Sequence, residues 1–262
     1  MRKYFALAKI EILDSLEYRY ELILWQIIEL VPILTLAMVW LTLGTNKVGD
    51  YSISQLITYY LVSAVTSRLV EYHFAYYQAD NIRTGKFSLY LLKPITLIKA
   101  FYSSDFPSQC FMFIVTTIPL ITVVWGLLNQ YLVFPTLMNM LFFLLMVGMG
   151  NVINFLLQMI LVAMAFFFKS IEGLRHTQWM ANAVFGGAMI PLVFLPRVIQ
   201  NISSWLPFKL MYFVPISIYM GNFDISEIIL NLGYGVLWIG GLVIFSNWLW
   251  GRALKRYSAV GA

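Results

Sequence analysis

The sequence predicts an all-α integral membrane protein with six transmembrane helices. An interfacial helix precedes them at the amino terminus, a short cytoplasmic helix joins spans two and three, and short re-entrant helices lie between spans five and six. Three observations predict this architecture. First, hydrophobic residues make up 61% of the 262-residue chain and charged residues only 11%, against about 45–50% and about 25% in soluble domains. A soluble globule cannot hide that much apolar surface, and disorder needs the opposite composition. Second, six stretches reach the roughly 20 mostly apolar residues that a helix needs to cross the hydrocarbon core. Third, basic residues concentrate on one side of those stretches.

Residues 1–21 are not a signal peptide, because Glu11, Asp14, Glu17 and Glu21 interrupt any apolar core and the run that follows is too long. On a helix, Phe5, Ala8, Ile12, Leu16 and Tyr20 fall on one side and Lys3, Glu11, Asp14 and Glu17 on the other, with Leu7 and Ile10 spoiling the polar face. That pattern suits a helix lying in the membrane interface, or a leader packed on a partner. The expected spans are residues 22–43, 54–76 (the most polar), 106–128, 136–168, 177–195 and 225–250. The fourth is long enough to tilt or protrude. With the amino terminus inside, thirteen of the 17 Lys and Arg fall in cytoplasmic segments. Only Lys47, Arg197 and Lys209 fall outside, and Arg68 lies within span two. Both termini are therefore expected in the cytoplasm. Between spans five and six, Pro191, Pro196, Pro207 and Pro215 forbid one straight helix, yet the stretch stays apolar, with Trp205, Tyr212 and Tyr219 available as interface anchors. Short helices dipping into the outer leaflet and buried against protein satisfy both constraints.

The chain lacks the groups of an enzyme. It has no His-Glu-x-x-His, no Gly-x-Ser-x-Gly and no Cys/His cluster with metal-ligand spacing. Cys110 sits in an apolar run and reads as packing. His73 and His176, near the ends of apolar runs, read as interfacial or helix-packing residues. Gly85-Lys86-Phe87-Ser88 resembles the end of a phosphate-binding loop. That loop needs a glycine five residues before Gly85 and Ser or Thr directly after the lysine, where this chain has Asp80 and Phe87. The net charge of +5 reports orientation in a bilayer, not nucleic-acid binding.

Charges inside spans are expensive and need a reason. Glu29 and Arg68 lie at nearly matched depths near the inner leaflet, which points to an ion pair bridging spans one and two. Glu71, three residues beyond Arg68 on the same face, is the rival partner, and snorkelling to the headgroups is the third reading of Arg68. Asn151, Asn154 and Gln158 form a polar stripe on span four, and Asn182 with Gly186 does the same on span five. Such stripes line a substrate path or bind helices together.

The stretch after span two is short, basic and cytoplasmic. Asp80 to Thr84 forms about one helical turn, and Gly85 can end it in a left-handed conformation. Phe87 to Leu92 then returns along the interface to Pro94. A short rigid element between two spans can transmit force from a soluble motor. Here Ile82, Gly85, Phe87, Tyr90, Leu91, Leu92 and Pro94 resemble the permease subunits of ABC type-2 exporters, the branch of about 260 residues encoded beside a separate ATPase. Trp205-Leu206-Pro207-Phe208, Pro215 and Gly221 are similar to that family as well, and the resemblance covers nearly the whole chain.

The resemblance implies a coupling helix at about Asn81, Ile82, Arg83, Thr84, Gly85, Lys86, Phe87 and Ser88, with Arg83 and Lys86 contacting the ATPase. It implies a connecting helix at about Lys3–Tyr20 and re-entrant helices between Pro191 and Pro215. It also implies a non-catalytic subunit that moves a hydrophobic or amphipathic substrate. Cytoplasmic ABC ATPase subunits would bind ATP and Mg, this chain would hold no cofactor, and a second permease, identical or paralogous, would complete a dimer in the bacterial plasma membrane among its lipid. The alternative is an autonomous secondary transporter or channel, against which stands the lack of an internal repeat between residues 1–130 and 131–262.

Overall fold

The structure, a computed structural model, describes residues 19–42, 47–48, 51–92 and 96–256. The expected interfacial helix therefore lies outside the described residues, apart from its last three positions. Helix α1 (Arg19–Thr42) carries Pro32 in its interior. Strands β1 (Lys47–Val48) and β2 (Tyr51–Ser52) pair antiparallel and turn the chain back. Helix α2 (Ile53–Val70) begins with a capping box, in which the Gln55 amide donates to Ser52 Oγ (3.2 Å) and the Ser52 amide to Gln55 Oε1 (2.8 Å).

Span two was expected to run unbroken from 54 to 76, but α2 stops at Val70. After three non-helical residues, α3 (Phe74–Arg83) begins, and a single turn, α4 (Ser88–Leu91), follows. The expected 81–88 coupling helix is thus the end of α3, a turn, and the start of α4. Gly85 makes that turn at φ 77°, the left-handed region the sequence pointed to.

Span three starts at Leu97 rather than 106. Helix α5 (Leu97–Met112), a π turn (Phe113–Thr117), helix α6 (Ile118–Leu128) and a 3-10 turn (Asn129–Tyr131) stack into one 35-residue rod. Ser103 and Ser104 lie just before the expected start at 106. The helix absorbs them, because the Ser103 and Ser104 hydroxyls donate to the carbonyls of Ala100 and Phe101 (3.1 Å each).

Helix α7 (Leu137–Met164) is capped by Thr136, whose Oγ1 accepts from the Asn139 amide (3.2 Å), and ends four residues before the expected limit at 168. Helix α8 (Glu172–Phe185) begins earlier than span five was expected to and stops ten residues sooner than 195. Gly186 and Gly187 end it, the latter at φ 74°, which side chains rarely adopt. The prolines then punctuate the chain as their fixed φ requires. Pro196 precedes α9 (Arg197–Trp205), Pro207 precedes α10 (Phe208–Met211), and Pro215 sits in the first turn of α11 (Phe213–Tyr219). Helix α12 (Ile225–Arg256) closes the described chain.

Among the described residues three helices are long and apolar enough to cross a membrane, the 97–131 rod, α7 and α12. Helix α7 is the central post, against which α2, α3, α10, α11 and α12 all pack. Half of its most apolar stretch is buried, against 22% for α12. The outer face of α12 instead exposes Ile229, Leu230, Val236, Leu237 and Ile244, the surface expected of a lipid-facing helix. Helix α1 packs on α2 and on the π turn, with Ile33, Ala37, Ile57, Leu61 and Val124 forming their shared apolar cluster.

Candidate functional site

A break in a helix frees backbone donors and acceptors, and in an apolar interior each must find a partner or costs several kcal/mol, about 2–7 in apolar media. At the break in span two, the partners come from α7. The Tyr72 amide donates to Asn154 Oδ1 (2.9 Å) and the Ala75 amide to Gln158 Oε1 (3.3 Å). Asn151 Nδ2 donates to the Leu69 carbonyl (2.7 Å), and its Oδ1 accepts from the Tyr72 hydroxyl (2.9 Å). These three side chains, buried and spaced about one helical turn apart, form rungs along one face of α7. Of the two readings of the stripe on span four, the structure supports helix binding, since the rungs hold span two.

Glu71 sits in the break. Its amide donates to the Ser67 carbonyl (2.8 Å), its own carbonyl accepts from Gln109 Nε2 (3.0 Å), and its Oε1 accepts from the Tyr212 hydroxyl (2.6 Å). Tyr212, which the sequence offered as an interface anchor, is fully buried between α10 and α11. It packs where Gly186 leaves room, because a Cβ there would come within 2.8 Å of the Tyr212 ring. Span two in turn supports the broken end of span five. Tyr59 Oη donates to the Gly187 carbonyl and Ser63 Oγ to that of Ala188 (2.7 Å). Polar contacts therefore run from α7 through the break to Tyr212, between α10 and α11, and from α2 to the residues that end α8.

The inner turn has an exposed and a buried face. Arg83, Thr84 and Lys86 are exposed. Arg83 pairs with Asp80 (2.8 Å), and the Thr84 hydroxyl donates to the Asp80 carbonyl (2.8 Å). Asn81 Nδ2 donates to Gln78 Oε1 (3.3 Å), and the Asn81 carbonyl accepts from the Phe87 amide (2.9 Å), closing the turn. Ser88 Oγ donates to the Gly85 carbonyl (2.8 Å). Ile82 is buried, and Phe87 is fully buried against Tyr90, Phe166 and Trp250, at ring distances of 5.9, 5.4 and 6.1 Å. The Trp250 indole N–H donates to the Met159 carbonyl (3.1 Å). The turn is thus fixed by aromatic packing to α12 and to the segment that follows α7, while its cations are exposed.

Of the expected intramembrane charges, Glu29 lies on α1 with its side chain outside the described residues, so its pairing with Arg68 lies outside them too. Arg68 occupies the last turn of α2. Cys110 is exposed rather than packed. Sequence reasoning missed Gln109, Phe166 and Trp250. Gln109 alone left a signal, as an uncharged polar residue within a span-length apolar run. Among the described residues no group of His, Cys, Asp and Glu could hold a metal ion.

A family model described as ABC-2 family transporter protein matches residues 26–261. No curated protein and no solved structure matches the chain.

Proposed function

Because the chain belongs to the ABC-2 transporter membrane family, whose members are ABC-type permease subunits, we propose that it serves an ATP-driven exporter as its membrane path. In this reading cytoplasmic ATPase subunits hold ATP and Mg, and this multi-pass chain holds neither. A second permease, identical or paralogous, pairs with it in the bacterial plasma membrane, and both termini lie in the cytoplasm. The cargo is hydrophobic or amphipathic.

The observation that carries this reading is the Arg83–Phe87 turn. Its cations are exposed, where a soluble partner can reach them, and its Phe87 is clamped between Phe166, just past the end of α7, and Trp250 of α12. A push on the turn is therefore a push on those helices and, through the rungs on α7, on span two. ATP drives such a cycle only by binding the two conformations with different affinity. The chain itself supplies the lever and the path, and the partner supplies the energy.

The test is the double substitution Arg83→Glu with Lys86→Glu in the complex of the full chain with its ATPase. Permease-stimulated ATP hydrolysis is expected to disappear while the permease pair stays associated in size-exclusion chromatography. Unchanged stimulation would refute the assignment of the lever.

A further inference from the structure

We propose that the carboxyl end of α12 is a seat for the phosphate of an anionic phospholipid. The proposal concerns this helix alone and goes beyond the permease reading. Arg252, Lys255 and Arg256 fall within the last five residues of α12. None of them forms an ion pair among the described residues, and the last acidic residue of the chain, Glu227, lies in the first turn of the same helix. Cations at a helix carboxyl end suit its dipole. The dipole explains their charge but not the aromatic rings beside them.

Phe245, Trp248, Arg252 and Lys255 follow one another at i, i+3, i+7 and i+10, so they share one face of the helix. All four are exposed. The Phe245 and Trp248 rings stack, with centroids 5.6 Å apart and planes at 26°. The Arg252 guanidinium lies over the Trp248 ring, 4.2 Å from its centroid. A guanidinium stacked by its face keeps the N–H donors of its edge, and two oxygens of a phosphate can accept from that edge together. Lys255, one turn further on, adds a second positive charge. Towards the amino end of α12, Ile244, Leu237 and Val236 are exposed as well. Along the axis the surface thus passes from aliphatic to aromatic to cationic, with Arg252 about 10 Å beyond Phe245. Tryptophan favours the membrane–water interface, so this order matches one leaflet from acyl chain to phosphate. A soluble acidic partner would leave the exposed Ile244 and Phe245 unused, which favours a lipid. Arg256 is engaged elsewhere, its guanidinium 5.3 Å from the centroid of the Phe167 ring beyond the end of α7.

Quenching of tryptophan fluorescence by brominated lipids tests this directly. The full chain is reconstituted in phosphatidylcholine vesicles that contain either brominated phosphatidylglycerol or brominated phosphatidylcholine. The share of the quenching that disappears in Trp248→Phe belongs to Trp248. Phosphatidylglycerol is expected to occupy the seat about fivefold more strongly than phosphatidylcholine, the worth of one basic residue at an anionic lipid surface. Arg252→Gln is expected to abolish that preference, and Arg256→Gln to leave it in place. Equal quenching of Trp248 by the two lipids would refute the seat. So would an equal loss of preference in the two glutamine variants, which is the mark of diffuse surface charge. Loss of the preference in excess inorganic phosphate would overturn it too, since the ligand would then be the free ion and not the lipid.

Discussion

Replacing Asn154 with leucine isolates the grip of α7 on the broken span. Asn154 is buried at 1% exposure, and its Oδ1 takes the Tyr72 amide proton at 2.9 Å. Leucine nearly matches asparagine in size, so it opens no large cavity, but it removes the acceptor. An orphaned buried donor costs about 1–3 kcal/mol, while interhelical hydrogen bonds in membrane proteins contribute roughly 0.6–2 kcal/mol. The two ranges overlap at about 1–2 kcal/mol. Because each 1.4 kcal/mol or so is tenfold in an equilibrium, the opening that exposes Tyr72 becomes about 5- to 30-fold more populated. Hydrogen–deuterium exchange on the purified chain reads this directly as about 5- to 30-fold faster exchange of the Tyr72 amide, while α12 amides keep their rates. An unchanged Tyr72 rate would show that the break is held by something other than the rungs. Protection of residues 71–73 stronger than in the native chain would show that the break rewinds into one helix, and would refute the account equally.

Two further outcomes follow from the same geometry. In a double-mutant cycle on thermal stability, Tyr212→Phe and Glu71→Gln are expected to couple by about 0.6–2 kcal/mol, and strictly additive effects would remove the link between the break and the short helices α10 and α11. Phe87→Ala is expected to cost about 3–5 kcal/mol in thermal unfolding, because it empties a fully buried aromatic site. Phe87→Leu should lose far less, and equal losses for the two would contradict the aromatic clamp.

Much of the architecture was legible because lipid imposes simple rules. Span-length apolar runs located α1, the rod, α7 and α12, and prolines at 196, 207 and 215 marked where short helices start. Gly85 was legible as a left-handed turn because only glycine enters that region without cost. The break at Glu71 was not. Nothing local in the Leu69–Phe74 run stops a helix, and the partners that compensate the break lie about 80 residues away on α7. The stripe of Asn151, Asn154 and Gln158 was visible, but periodicity alone does not say whether its polar atoms face a cargo or a backbone. Helix α8 begins five residues before the expected start of span five and ends ten before its expected limit, since Glu172 and Arg175 pair with each other within α8 (2.8 Å) and so reside in a helix despite their charge.

The mutual support among spans two, four and five bears on how this chain can be recombined. Span four supplies hydrogen-bond partners to span two, and span two to the residues that end span five, with Gln109 of α5 and Tyr212 adding further bonds at the break. A chimera that imported span four from another permease would orphan amide groups in span two unless the donor sequence carried matching rungs. Helix α12 meets α7 through side-chain packing and the hydrogen bond from the Trp250 indole near its carboxyl end, and its outer face is exposed. Hybrid proteins exchanging the last helix should therefore assemble far more readily than those exchanging the fourth.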